Sequence, residues 1–220
     1  MRGPSEFPIS AFVQIVGWHS AGSRLALARR VEPMQNHGMA LEFTTSYLKD
    51  STTLLRYYKM LGERAMAQAS DADLLATIDV ESNSIAIIVK HLAGNMISRW
   101  TDFLTADGEK PSRDRDAEFV GPPQTRAEIL AMWDGAWKIV FDSLAPLTEE
   151  DMGCTIRIRG EAHSVMQAIN RQVAHYAYHI GQIVFIAKHL ASDHWTSLSI
   201  PRGKSADFNS RVAAGKVSQR

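Results

Sequence analysis

Four long segments of this 220-residue chain repeat apolar residues with the 3.6-residue period of an amphipathic helix, and this pattern constrains the fold most. The period appears at Leu41 and continues to about Ala69. It returns in IAIIVKHLAGNMISRWTDFL, in TRAEILAMWDGAWKIVFDSLAPL and in SVMQAINRQVAHYAYHIGQIVFIAKHL. Helices of this kind are stable when their apolar faces pack on one another. The sequence therefore predicts an all-α fold, an antiparallel four-helix bundle.

The starts of three of these helices carry capping signals. The second helix follows Glu81-Ser82-Asn83-Ser84, which offers several N-cap residues. Thr125 and Ser164 precede the third and fourth helices, and Glu128 and Gln167 give each the spacing of a capping box.

Two connections in the predicted bundle differ from ordinary short loops. Residues 107–124 are charged and rich in Gly and Pro, which predicts a long crossover connection on the surface. Residues 154–163 alternate apolar and charged side chains around Arg159-Gly160, which favours a short β-hairpin before the last helix. An extended loop is the alternative for that segment.

The two ends of the chain lack a sustained helical period. Residues 1–38 contain scattered Gly and Pro, so we expect a poorly ordered N-terminal extension, or sequence upstream of a true start at Met34 or Met39. Residues 39–195 are the predicted bundle, and residues 196–220 are expected to form an irregular C-terminal tail.

The composition excludes several classes of partner. Lys+Arg and Asp+Glu are both 24, so the formal net charge is +0 and a nucleic-acid partner is not expected. No apolar run is long enough for a membrane helix, and no membrane partner is expected. Cys154 is the single cysteine, so an internal disulfide is excluded and a cytoplasmic location is expected.

Three histidines form a candidate metal site. His175 and His179 are four residues apart, so they share one face of the last helix and could hold a cation together. His91 lies within the apolar run IIVKHLAGNM, where an imidazole needs either a hydrogen bond or a metal. The alternative is a chance HxxxH pair and a hydrogen-bonded core histidine. Because position 176 is Tyr, the pair is not the HExxH motif of metalloproteases.

Polar residues lie within one or two helical turns of these histidines. Asn95 and Arg99 follow His91 on the same face of the second helix, whereas Gln172 precedes His175 and Gln182 follows His179 by three residues. Groups in such positions orient metal-binding imidazoles. We therefore expect these four side chains to support the metal ligands.

Several blocks of the sequence resemble the DinB-like proteins of unknown function within the DinB/YfiT superfamily. They are ESNSIAIIVKHLAGNMISRWTDFL, DGEKPSRDRDAEF, QVAHYAYHIGQIV and WTSLSIPRGKSADFN, and the resemblance covers roughly residues 39–210. It implies a homodimeric four-helix bundle that binds a divalent metal, Zn or Ni. Carried over by motif, the ligands are His91 in KHLAGN and His175 and His179 in HYAYH.

The resemblance also implies candidate functions. Some superfamily members transfer a low-molecular-weight thiol (bacillithiol, mycothiol or glutathione) to an electrophile, which makes metal-dependent thiol S-transfer the leading hypothesis. A metal-dependent hydrolase and a non-catalytic, stress-related metal-binding protein are the alternatives. Thr44, Tyr47, Trp100 and the tail around Arg202 are the expected lining of the substrate pocket.

Overall fold

The computed structural model describes residues 46–218, and this part of the chain is mostly helical with one small antiparallel sheet. Its α-helices are α1 (Tyr47–Met66), α2 (Asp71–Leu75), α3 (Ile85–Trp100), α4 (Arg126–Leu144), α5 (Val165–Ala191) and α6 (Ser205–Ala213). The strands β1 (Thr155–Ile158) and β2 (Glu161–Ser164) lie between α4 and α5. The expectations for residues 1–38, and for the part of the first helix before residue 46, lie outside the described residues.

The predicted helix starts are confirmed. The Ser84 hydroxyl accepts a hydrogen bond from the backbone N–H of Ile87 at the start of α3. Thr125 and Glu128 form a capping box at α4, and Ser164 and Gln167 form one at α5. Each cap satisfies backbone donors that a helix leaves unpaired at its first turn.

The first helix ends earlier than predicted. α1 stops at Met66 rather than at about Ala69, because Arg126 of α4 donates hydrogen bonds to the carbonyls of Met66 (3.0 Å) and Ala69 (2.6 Å). Ser70, predicted to follow the end of this helix, instead caps the short helix α2. A contact between distant segments therefore overrides the local helical period.

The second predicted helix is also shorter than expected. α3 ends at Trp100 instead of continuing to Leu104, and Thr101 has an extended conformation. Its last carbonyl, that of Trp100, accepts a hydrogen bond from the Ser143 hydroxyl on α4 (2.7 Å). The bond to α4 satisfies a carbonyl that the helix leaves unpaired at its end.

The hairpin between α4 and α5 is confirmed. Thr155 pairs with Ser164 and Ile158 with Glu161, and both turn residues, Arg159 (φ 56°) and Gly160 (φ 79°), have positive φ. This is the backbone of a tight two-residue hairpin turn. The Asp107 carboxylate accepts hydrogen bonds from the backbone N–H groups of Arg159 (2.8 Å) and Gly160 (2.7 Å), which ties the hairpin to the crossover connection.

The helices bury one continuous apolar core. α3 packs against α4 and α5, and α1 packs mainly against α5. Trp133 and Trp137 of α4 are buried in this core with ring centroids 5.6 Å apart. None of the helices within residues 46–218 has the length and apolar character that a membrane span requires.

The crossover connection folds back onto α3 instead of remaining a surface loop. Lys90 of α3 donates hydrogen bonds to the carbonyls of Ala117 (2.7 Å) and Val120 (2.6 Å). A 3-10 turn at Asp116–Phe119 places Glu118 in the interior, with only 5% of its surface exposed. A charged segment that the sequence predicts to be solvated therefore supplies a buried carboxylate.

The C-terminal segment is not wholly irregular as expected. It contains the nine-residue helix α6, which buries none of its residues. Gln68, just after α1, holds the segment before α6 by accepting a hydrogen bond from the backbone N–H of Thr196 (2.7 Å).

Candidate metal centre

The structure brings the three predicted histidines together. His91 lies in the middle of α3, and His175 and His179 lie one turn apart on α5, which packs against α3. One ring nitrogen from each residue lies within 4.8 Å of the other two. The Nε2 atoms of His91 and His175 are 3.3 Å apart.

Glu118 fixes the orientation of the His91 ring. The Nδ1 atom of His91 lies 2.8 Å from Oε2 of Glu118, and only 4% of the residue's surface is exposed. Because an ionised carboxylate can only accept, Nδ1 donates this hydrogen bond, and Nε2 is the ring nitrogen that faces His175. The Phe119 ring stacks on the imidazole with centroids 4.8 Å apart, which further restricts its rotation.

Arg113 holds Glu118 in turn. Its Nε and Nη2 atoms donate to the two carboxylate oxygens at 2.7 and 3.0 Å. Burial favours the neutral acid, but the hydrogen bonds from His91 and Arg113 outweigh it and hold the pKa of Glu118 below its usual value. The acceptor that orients His91 is therefore a charged carboxylate.

A glycine on α3 makes room for this carboxylate. A Cβ atom built on Gly94 overlaps the Glu118 side chain, with its Cδ atom only 2.7 Å away. Gly94 lies one turn beyond Lys90, which binds the same connection. The absence of a side chain at Gly94 therefore leaves room for the Glu118 carboxylate beside His91.

The two histidines of α5 are neutral at physiological pH. Burial, together with the smaller effects of the neighbouring His179 and His91, lowers the pKa of His175 to about 3. Burial also lowers the pKa of His179 to about 4, with His91 adding to the effect and Gln182 opposing it. A neutral imidazole is the form that binds a metal.

The hydrogen bonds of these two rings differ. His179 Nδ1 lies 2.7 Å from Oε1 of Gln182, so this nitrogen donates and Nε2 is free to act as a ligand. The Nδ1 atom of His175 is buried and has no hydrogen-bond partner within residues 46–218.

The three side chains could hold a divalent cation. Ring nitrogens about 2.05 Å from one tetrahedral metal ion lie about 3.3 Å from each other, and the His91–His175 distance is 3.3 Å. A hydrogen bond between His91 and His175 would also explain this distance, but it would not explain why a ring nitrogen of His179 lies beside the pair. In the described part of the chain no Cys, Asp or Glu completes the cluster as a fourth ligand.

The histidines open onto a pocket of about 520 Å³. Its lining is rich in arginine and contains no Asp or Glu. The lining residues are Asn83, His91, Asn95, Arg99, Arg113, Arg115, Phe119, Arg159, Arg171, Gln172, His175, Tyr178, His179 and Gln182. A cation held by the histidines would therefore face this pocket.

The four residues predicted to support the ligands all line this pocket, but their contacts differ. Gln182 binds His179. Asn95 Oδ1 accepts from the Tyr176 hydroxyl at 3.4 Å, and Arg99 donates to the Gly108 carbonyl and, at 2.8 Å, to Glu109. Gln172 is buried, and its Oε1 atom has no hydrogen-bond partner among the described residues. Only Gln182 is thus seen to orient a histidine.

The expected pocket lining differs from the lining that the structure shows. Tyr47, Trp100 and Arg202, the described members of the expected lining, do not line the pocket, and Thr44 lies outside the described residues. Glu118 and the lining arginines of the crossover connection were missed, because a charged loop has no period that shows which side chains point inward. Glu118, Arg113 and Arg115 lie in the run DGEKPSRDRDAEF, which contributed to the family resemblance but gave no indication of their role.

Comparisons with known proteins give a family without a known activity. No curated protein and no solved structure matches the chain. A family model described as "Protein of unknown function (DUF1572)" matches residues 42–204, a stretch that contains all three histidines and the crossover connection. The chain therefore belongs to this family of proteins of unknown function, DUF1572.

Proposed function

We propose that His91, His175 and His179 hold one divalent cation, zinc or nickel, and that the site transfers a low-molecular-weight thiol to an electrophile. The observation that carries this proposal is the convergence of three imidazoles on the wall of a pocket of about 520 Å³, with no Cys, Asp or Glu beside them as a fourth ligand in the described residues. Structural zinc sites are closed by four protein ligands, whereas catalytic sites keep one position open. The open arrangement supports an enzyme over a purely structural metal.

The lining of the pocket supports thiol transfer over hydrolysis. A bound divalent cation lowers the pKa of a thiol and so yields a nucleophile near neutral pH. A hydrolase needs a group that accepts the proton of the attacking water, and no carboxylate lines the pocket. Glu118, the nearest buried acid, is already bound to His91 and Arg113.

The proposed reaction is a displacement that balances without a further reagent. The thiol releases its proton to solvent, and its sulfur forms a bond to an electrophilic carbon. The leaving group departs from that carbon with the bonding electron pair. Glu118 orients the ring of His91 and Gln182 orients the ring of His179, so both imidazoles stay in position to hold the metal.

The resemblance to DinB-like proteins leads to further proposals about the whole molecule. Four long helices, with α1 against α5 and α3 against α4, support an antiparallel four-helix bundle of the DinB-like superfamily. We also propose a homodimer in the cytoplasm that uses neither nucleic acid nor membrane as a partner. Tyr178 (63% exposed) and Phe185 (62% exposed) lie on one face of α5 and offer apolar surface to a second copy.

A conjugation assay tests the proposed reaction. Purified protein is incubated with glutathione, bacillithiol or mycothiol and with 1-chloro-2,4-dinitrobenzene, in the presence and absence of added Zn²⁺ or Ni²⁺. We expect a metal-dependent increase in rate with one of these thiols, lost in His175→Ala. His189→Ala, which removes an exposed histidine of the same helix, retains the activity. The absence of any metal-dependent rate above the uncatalysed reaction with all three thiols would contradict the proposal.

A further inference from the structure

The wall of the pocket carries an excess of positive charge. Its lining includes the guanidinium groups of Arg99, Arg113, Arg115, Arg159 and Arg171. Behind the wall, Glu109 and Glu118 pair with three of these arginines. Five guanidinium groups against two carboxylates leave an excess of three positive charges before any metal is bound. In a chain with a formal net charge of +0, this concentration is local to the pocket.

The paired arginines are unequally neutralised. Arg113 binds both oxygens of Glu118, which is a well-matched pair. Arg99 and Arg159 share the single carboxylate of Glu109, at 2.8 and 3.1 Å. One carboxylate cannot neutralise both, so positive potential remains on this side of the pocket.

Two further arginines have no acidic partner within residues 46–218, and each lies beside a candidate metal ligand. Arg115 lies over the Phe119 ring, 5.2 Å from its centroid, and that ring stacks on His91. Arg171 is exposed and lies one turn before His175 on α5. The two guanidinium groups therefore come from different elements, the crossover connection and α5, and both line the same pocket.

The two arginines without an acidic partner are also accessible. Arg115 and Arg171 are exposed, whereas the Nε atom of Arg99 and the Oε1 atom of Gln172 are buried, without a hydrogen-bond partner among the described residues. A ligand in the pocket would therefore meet the guanidinium groups of Arg115 and Arg171.

We propose that this pocket binds a small organic molecule with two acidic groups, and that Arg115 and Arg171 bind those groups. Guanidinium groups match the geometry of carboxylates and phosphates. The pocket of about 520 Å³ suits a small molecule rather than a macromolecule. Resting on the proposed function, this identifies the thiol substrate as an acidic one.

Calorimetric titration of the metal-free protein tests the anion site separately from the reaction. Succinate and glutarate are compared with succinamide and glutaramide, which have nearly the same shape without the charge. Pyrophosphate is titrated in a parallel arm to distinguish phosphate from carboxylate. We expect an acidic probe to bind about tenfold or more tightly than the neutral diamides. In Arg115→Gln and Arg171→Gln this preference decreases, whereas it persists in Arg64→Gln, which removes an exposed arginine of α1 outside the pocket.

The outcomes separate this inference from the proposed function. Tight binding of an acidic probe without metal-dependent conjugation would support the anion site and contradict thiol transfer. Metal-dependent conjugation with equal affinity for acids and diamides would overturn the anion site and leave thiol transfer in place. An equal loss of binding in Arg64→Gln and Arg171→Gln would also overturn the anion site, because it would show that the affinity depends on the net charge of the protein and not on the pocket arginines.

Discussion

Glu118 links the candidate metal centre to the crossover connection at the scale of single residues. Its carboxylate accepts hydrogen bonds from His91 on one side and from Arg113 on the other. It fits there because Gly94 has no side chain. Carboxylates in this position fix the tautomer of a metal-binding histidine and raise its basicity. The structure thus predicts that metal affinity depends on a residue that does not touch the metal.

Gly94→Ala tests this dependence. The added Cβ atom overlaps Glu118, so the carboxylate must move away from His91. We expect metal affinity, measured by competition with a chelator, to fall about tenfold to a hundredfold. Gly135→Ala on α4 is the control, since its Cβ meets nothing within 4 Å. It should leave affinity unchanged and stabilise the helix by about 1 kcal/mol. An unchanged affinity in Gly94→Ala would remove the proposed role of Glu118.

The histidines also predict how the stability of the metal-free protein depends on pH. The pKa values of His175 and His179 are lowered to about 3 and about 4, against 6.5 for an unperturbed histidine. Between these values the unfolded chain binds more protons than the folded one, so acidification below about pH 6.5 favours unfolding. We expect His175→Gln to gain stability relative to wild type as the pH falls from 6.5 to 4. Urea unfolding at several pH values measures this difference, and a constant difference would contradict the lowered pKa.

The sequence identified the three histidines that the structure brings together, but not their surroundings, for a physical reason. His175 and His179 were recognisable because helical spacing fixes which side chains share a face, and His91 because an imidazole in an apolar run needs a partner. That partner, Glu118, lies in a loop, where no periodicity shows which side chains are buried. Arg115 likewise could not be placed from the sequence.

At the scale of elements, local signals predicted where helices begin better than where they end. The caps at Ser84, Thr125 and Ser164 operate within a single turn and are present as predicted. The ends of α1 and α3 involve hydrogen bonds from Arg126 and Ser143 of α4, which only the folded chain brings close. The same holds for the crossover connection, which Lys90 binds to α3.

Gly62 tests the packing of α1 against its neighbours. A Cβ atom at this position would lie 2.7 Å from the Trp133 ring of α4 and 3.2 Å from Ile180 of α5. A buried indole cannot move easily, so we expect Gly62→Ala to reduce the free energy of unfolding by about 1–3 kcal/mol. Gly181→Ala on α5, where a Cβ meets nothing within 4 Å, should instead be neutral or stabilising. Equal effects of the two substitutions in urea unfolding would show that α1 does not pack as described.

At the scale of the whole molecule, the candidate metal centre and its pocket lie where α3, α5 and the crossover connection meet. α3 supplies His91, α5 supplies His175 and His179, and the crossover connection supplies Glu118, Arg113 and Arg115. The family has no known activity. The three histidines and the positive pocket wall are the basis on which we propose a metal-dependent enzyme that acts on a small acidic molecule.

Bound metal should stabilise the folded chain. A cation that binds the three histidines only in the folded protein adds to the free energy of unfolding by an amount that grows with its free concentration. We expect Zn²⁺ or Ni²⁺ to raise the melting temperature of wild type and of His189→Ala, but not of His179→Ala. An equal increase in all three proteins would indicate binding elsewhere.

Elemental analysis of protein purified without chelator tests the central claim most directly. We predict about one equivalent of Zn or Ni per chain in wild type, and in His189→Ala as the matched control. The metal should be lost from His91→Ala, which keeps the HxxxH pair but removes the third ligand. A metal-free wild type, or a His91→Ala variant with the same metal content as wild type, would contradict the claim that these three histidines form a metal centre.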